Sequence, residues 1–224
     1  VEDIESLIPF SSLTNPTNIL LSRLDKKIIW AADVNTMKKM FEDIDKYGPK
    51  ISVLKLHIDT FKDFSIDNLL KLQAYKEKYG FLIWEDRKFA DIGAIMDKQI
   101  KNSLYVYEDW VDIFSIHGIT GYESVVTTIK NNPRFKWILI GQLSSSHNLI
   151  TPEYTDQCKE IYNAHENIIG MVCQEYLGSE FVHIVPGISK ETNADAQGQQ
   201  YSKESEKSFA DFFVVGRSIS QFIK

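Results

Sequence analysis

Eight short, β-rich apolar runs alternate with amphipathic stretches along this chain, and that alternation constrains the fold more than any other feature. The runs cover residues 27–33, 51–57, 81–84, 111–117, 136–141, 168–172, 181–185 and 211–215. Strands joined through helices run parallel, with right-handed crossovers. After the first run, Met37, Met40, Phe41 and Ile44 recur at helical spacing over 35–47, and Gly48-Pro49 stops that helix. Further helices are predicted over about 65–79, ended by Tyr79-Gly80, and over about 92–105. Eight such units in 224 residues predict an α/β protein of the closed (β/α)8 TIM-barrel form. An open doubly wound sheet is the structural rival, but no Gly-rich dinucleotide fingerprint follows the first strand. The chain, 1–224, is expected to be a single domain, with residues 1–25 as an N-terminal helical or irregular extension. Residues 187–208 form the longest polar stretch, and loops of that length in compact domains are usually functional or disordered.

Charge and cysteine usage narrow the function classes. A net charge of −6 argues against a nucleic-acid or anionic-membrane partner. A phosphorylated substrate would then need a local basic site. Cys158 and Cys173 form neither a metal-ligand spacing nor a disulfide framework, which fits a reducing cytosol and a cytoplasmic location. There is no HExxH and no Cys/His cluster, so no metal is expected. No apolar run is long enough to span a bilayer, and no secretory leader is read.

The run Glu85-Asp86-Arg87-Lys88-Phe89-Ala90-Asp91-Ile92-Gly93 carries the chemistry. Strand alternation puts Asp86 and Lys88 on one face and Arg87 and Phe89 on the other, while Asp91 falls at the strand-to-helix turn, where an acid caps well. Active sites of barrels lie at the C-terminal ends of the strands. Those ends carry Asp33, Lys55 with His57 and Asp59, Asp86 with Lys88, then His117 and Ser144. Lys55 lies among Val53, Leu54 and Leu56, so it needs a partner, and Asp86 on the adjacent strand is the natural one. Neighbouring carboxylates hold lysine as ammonium, which disfavours a Schiff base. An obligate ammonium suits stabilisation of a developing carbanion and its protonation. A fixed carboxylate beside it would repel a substrate carboxylate, so the set is equipped for loss of CO2 without a cofactor.

At the other end of the cavity, the N–H groups of Gly216, Arg217 and Ser218 open the last helix, and Arg217 offers a forked cationic contact to phosphate. Pro186-Gly187 ends the seventh strand, and Gln199 and Tyr201 offer neutral donors from the long polar segment. Closure of that segment would exclude water.

These residues resemble the orotidine 5′-phosphate decarboxylase family in its eukaryotic style. The likeness runs through Ala32-Asp33-Val34, Gly48-Pro49-Lys50-Ile51, Leu54-Lys55-Leu56-His57-Ile58-Asp59, the Glu85 to Gly93 run, Asp195-Ala196-Gln197-Gly198-Gln199-Gln200-Tyr201 and Val215-Gly216-Arg217. The resemblance implies decarboxylation of orotidine 5′-monophosphate to uridine 5′-monophosphate with no metal, flavin or pyridoxal group. It implies ribose contacts from Asp33 and Lys55, with Asp86 beside the substrate carboxylate and Lys88 as the acid that protonates C6. His57 would support the array, Ser144 would read the pyrimidine edge, and Pro186 would border the substrate. Gln199, Tyr201, Gly216 and Arg217 would hold the phosphate. It further implies a homodimer in which Asp91 is donated to the partner's site and Ile92 lines the base pocket. The chain departs from the family pattern at Ala94-Ile95, where Asn-Thr is usual, at Ser218, where glycine is usual, and at Ser146-His147-Asn148 in a loop that often carries glycine. It also stops soon after Arg217, where relatives continue into a longer terminal helix. Another phosphosugar barrel enzyme and a non-catalytic nucleotide-binding descendant are the alternatives.

Overall fold

The computed structural model describes residues 18–189 and 198–223. Its strands are β1 (Ile28–Ala31), β2 (Val53–Leu56), β3 (Leu82–Phe89), β4 (Ile113–His117), β5 (Lys136–Ile140), β6 (Ile168–Val172), β7 (His183–Val185) and β8 (Phe212–Val215). They pair in parallel in chain order, and β8 pairs back onto β1 to close the barrel. The helices are α1 (Met37–Tyr47), α2 (Ile66–Tyr79), α3 (Gly93–Lys101), α4 (Tyr107–Trp110), α5 (Tyr122–Asn131), α6 (Pro152–Tyr162) and α7 (Ile219–Phe222). Helix starts follow from capping chemistry. The Thr36 hydroxyl accepts from the Lys39 N–H at 3.1 Å, and the Asp63 carboxylate accepts from the Met37 and Lys38 N–H groups at 2.6 and 2.9 Å. Ser65 caps α2 in the same way, and Gly80 ends it in the left-handed conformation at φ 72°.

Period-two alternation sorts the strand side chains into two apolar layers. Trp30, Leu54, Ile83, Phe114, Trp137 and Phe213 face outward into the helices. Ile29, Val53, Trp84, Ile113, Ile138, Ile184 and Phe212 fill the barrel interior. The lower end of that interior is stoppered by Leu20, which is fully buried among them. Asn18 fixes the stopper: its Nδ2 donates to the Ile169 carbonyl at 2.7 Å, and its Oδ1 accepts from the Leu20 N–H at 2.9 Å.

Several boundaries differ from the pattern expected. Strand β3 is not among them: it runs to Phe89, as the alternation of Asp86 and Lys88 against Arg87 and Phe89 requires, and its inward charges meet partners inside the barrel. Helix α1 ends at Tyr47, but Gly48–Lys50 continues as a 3-10 turn before the chain leaves. The predicted helix 92–105 stops at Lys101 and is followed by the short α4. No helix stands between β6 and β7. β6 pairs directly with β7, and the connection between them packs on a buried pair: the His183 Nδ1 lies 3.3 Å from Asp211 Oδ2, and His183 Nε2 accepts from the Leu177 N–H at 3.1 Å. Tyr176 stacks on that imidazole with ring centroids 5.2 Å apart. Of the expected extension, residues 1–17 lie outside the described residues, and the remainder holds a 3-10 turn at Leu21–Arg23. Within the polar stretch, 190–197 also lie outside them, including Asp195, Ala196 and Gln197.

Replacing the stopper by Leu20→Ala should lower stability by about 2–5 kcal/mol, the usual cost of emptying a fully buried leucine site. Urea unfolding measures it, and a loss below about 0.5 kcal/mol would show that the barrel base closes without Leu20.

Candidate active site

Above the interior apolar layer, the same alternation continues with polar residues. One step beyond Val53 comes Lys55, beyond Trp84 comes Asp86, and beyond Ile113 comes Ser115. Lys55 and Asp86 are 7% and 5% exposed, so both charges sit in the barrel with little water. The Asp86 Oδ2 lies 3.3 Å from the Lys55 Nζ and 2.5 Å from the Lys88 Nζ. Lys55 also reaches Asp33 Oδ1 at 3.5 Å and His57 Nε2 at 3.2 Å. Two ammonium groups therefore share one carboxylate, with Asp33 balancing the outer side.

Lys88 is set by an irregular backbone. Its φ is 49°, and the pairing of β3 with β4 slips between Glu85 and Phe89. A lysine in the left-handed region is strained and persists only where its surroundings hold it. Ser115 does so. Its Oγ accepts from the Lys88 N–H at 2.9 Å and donates to Asp86 Oδ1 at 2.6 Å. Sequence reasoning missed this fully buried serine. The available signal was its inward phase on β4, one alternation above Ile113.

The ionisation states follow from these contacts. Burial alone would lower the Lys55 pKa, but the carboxylates of Asp86 and Asp33 outweigh it and hold the ammonium more firmly than in a free lysine. Burial opposes ionisation of Asp86, yet Lys55, Lys88 and His57 hold its carboxyl well below the usual range. Burial and the Lys55 ammonium lower the His57 pKa, which keeps the ring neutral as an acceptor.

Asp33, Lys55, His57, Asp86, Lys88 and Ser144 line one open cavity of about 1290 Å3. Pro186, Gln199, Tyr201, Gly216 and Arg217 line its other side. There the Arg217 guanidinium donates to the Tyr201 hydroxyl at 3.3 Å. Ser145 and Gln199 form an antiparallel bridge, and Gln200 N–H donates to the Ser144 carbonyl at 3.0 Å, so the loop after β5 is knitted to the polar segment. Gly187 permits this packing: its φ is 74°, and a Cβ there would lie 2.7 Å from the Gln200 carbonyl oxygen. Ser218 has φ −85°, open to any residue, so the serine in place of glycine carries no backbone strain. His147 does adopt a left-handed φ of 54° in the loop where glycine is common.

Four residues at the strand ends stand apart from the cavity of their own chain. Asp59 turns outward to an ion pair with Arg87, and His117 lies outside the lining. Asp91 and Ile92 also lie outside it, with Ile92 60% exposed. Asp91 does not cap α3; the N-cap is Ile92, and the Asp91 carboxylate accepts from that residue's N–H at 2.7 Å.

The fold and cavity define a (β/α)8 barrel with an ion-pair array at its strand ends and a cationic grip beside β8, the place where such barrels take phosphate. The model of the orotidine 5′-phosphate decarboxylase / HUMPS family matches residues 26–221, and the chain belongs to that family. It is 36% identical over 203 residues to the orotidine 5′-phosphate decarboxylase of Torulaspora delbrueckii, covering 84% of this chain and 76% of that protein. It is 32% identical over 219 residues to the uridine 5′-monophosphate synthase of Bos taurus, covering 92% of this chain and 45% of that protein. The crystal structure of orotidine 5′-phosphate decarboxylase from Pyrococcus horikoshii shares the fold, with a TM-score of 0.64 at 21% identity over 87% of this chain and 91% of that one.

Ser115→Ala should leave the Lys88 N–H and one Asp86 oxygen without partners in the interior. Unsatisfied buried groups cost about 1–3 kcal/mol each, so denaturant unfolding should show a loss of that order. A loss under about 0.5 kcal/mol would mean that the strained turn at Lys88 is held by other contacts.

Proposed function

We propose that this chain removes the carboxylate of orotidine 5′-monophosphate as CO2 and yields uridine 5′-monophosphate, the last step of pyrimidine nucleotide synthesis, without a cofactor. The observation that carries this reading is Asp86 held ionised between Lys55 and Lys88 on the floor of a cavity with a cationic far end. The substrate carboxylate sits against Asp86, whose fixed charge raises the energy of the bound carboxylate and not that of the departing neutral CO2. The bond from C6 to the carboxylate breaks and its electron pair stays on C6. The Lys88 ammonium stabilises that charge and then donates its proton to C6. Solvent reprotonates the amine.

Asp33 and Lys55 hold the ribose hydroxyls, with His57 fixing Lys55 from behind. Ser144 reads the base edge, and Pro186 borders the base. Gln199, Tyr201, Gly216 and Arg217 grip the phosphate, so binding energy far from C6 lowers the barrier.

We read the chain as one barrel domain that works as a homodimer in the cytoplasm, with Asp91 completing the partner's array and Ile92 its base pocket. Ile92, Ile95, Ile119 and Tyr122 are all exposed on the segments after β3 and β4, beside the mouth. The two segments pack side by side: Gly93 lies against α5, where a Cβ would make an ordinary 3.4 Å contact with the Ser124 carbonyl oxygen. Exposed apolar side chains gathered on neighbouring segments favour a cover, and a second copy supplies one. Ile95 then adds apolar contact where a family threonine would reach the ribose.

Lys88→Ala should abolish loss of pyrimidine absorbance while uridine 5′-monophosphate still binds; near-normal turnover would remove Lys88 as the acid. Arg217→Ala should weaken the grip on the nucleotide and leave affinity for the phosphate-free nucleoside unchanged; equal effects on both would place the phosphate elsewhere. Mixing inactive Lys88→Ala and Asp91→Ala chains should restore about a quarter of wild-type activity, because random pairing gives hybrids with one intact site. No restoration would contradict a shared site.

A further inference from the structure

We propose that Glu85 is a positioning residue that works from the reverse face of β3, where it and Arg87 latch the turn after β2 and so set the spacing of Lys55, Asp86 and Lys88. Strand alternation puts Asp86 and Lys88 inside the barrel and Glu85 and Arg87 outside it. Both outer residues reach the same short turn, Ile58–Thr60, which follows directly on Lys55 and His57. Glu85 Oε2 accepts from the Ile58 N–H at 3.0 Å, and Arg87 pairs with the Asp59 carboxylate. The two cationic partners of Asp86 thus lie on segments joined twice from behind.

Glu85 is fully buried, and its Oε1, like the Oδ1 of Asp211 beside β8, has no hydrogen-bond partner among the described residues. The groups facing it are Asp59 from the β2 turn, Asp86 and Arg87 on its own strand, and Tyr107 on α4. Burial pushes its carboxyl up to about 8; the Ile58 N–H opposes this, Asp59 and Asp86 add to it, and Arg87 opposes it. At neutral pH the latch is therefore a neutral acid, which avoids a second negative charge behind Asp86. The folded pKa lies above the ordinary 4.5, so the stability this group contributes is complete below 4.5, declines as pH rises, and is lost by about 8. Above that pH the carboxylate keeps the Ile58 N–H but is repelled by Asp59 and Asp86, and the repulsion from Asp59 strains the turn and, with it, the placement of Lys55.

The activity arms of the test rest on the decarboxylase reading; the spectroscopic arm does not. Infrared difference spectra of the wild-type protein should show a protonated carboxylic acid at pH 6 that disappears through about pH 8. Absence of that band overturns the proposal without touching the assignment of the reaction. Glu85→Gln imitates the neutral acid and should keep kcat within about threefold at pH 7 while moving the alkaline decline in kcat upward. Glu85→Ala, which cannot hold the Ile58 N–H, should lose about tenfold in kcat with little change in KM. A wild-type kcat in Glu85→Ala, or an unmoved alkaline decline in Glu85→Gln, overturns it. A wild-type protein that releases no CO2 refutes the decarboxylase reading and leaves the spectroscopic test standing.

Discussion

The structure depends on one carboxylate shared by two ammonium groups. Asp86 is buried between Lys55 and Lys88, and with Asp33 it holds the buried Lys55 as an ammonium group. Burying an isolated charge is costly, whereas removing one member of a buried set strands the others. The arrangement is therefore all or nothing. It also explains why the strand outlasts its apolar stretch, and why a lysine tolerates the left-handed backbone at position 88. What the fold spends in desolvation and strain becomes a preorganised field at the barrel mouth.

That field is built from strands, whereas the grip on the far end is built from loops. Lys55, Asp86 and Ser115 stand one alternation above a packed apolar layer and inherit its rigidity. Ser144, Gln199 and Tyr201 belong to segments tied to each other by backbone pairing. Chemistry needs groups held within fractions of an ångström, while substrate entry needs segments that can part, and the two demands fall on different parts of the chain.

Much of this was legible in the sequence because period-two alternation is a strong signal. The eight runs, their closure into a barrel, and the pairing of Lys55 with Asp86 all follow from it. Element ends were less legible. Apolar patterning marked β3 only to Trp84, and its continuation to Phe89 was legible only through the alternation of its charged residues, whose partners wait on other strands. The missing helix between β6 and β7 was invisible for a similar reason: His183 and Asp211 look like ordinary polar positions until they meet. Ser115 lay in a strand read as apolar, and its role depends on a backbone kink in a neighbouring strand. Asp59 shares its strand end with Lys55 and His57 but turns the other way, because the chain enters a 3-10 turn at Ile58 and alternation stops there.

The central claim is that a lysine ammonium held by Asp86 delivers a proton to the carbon that CO2 leaves. The most direct measurement is to run the reaction in heavy water and examine the uridine 5′-monophosphate formed. The account predicts one CO2 released and one deuterium placed at C6 for every product molecule. Release of CO2 without deuterium at C6, or no conversion of the nucleotide at all, would contradict it.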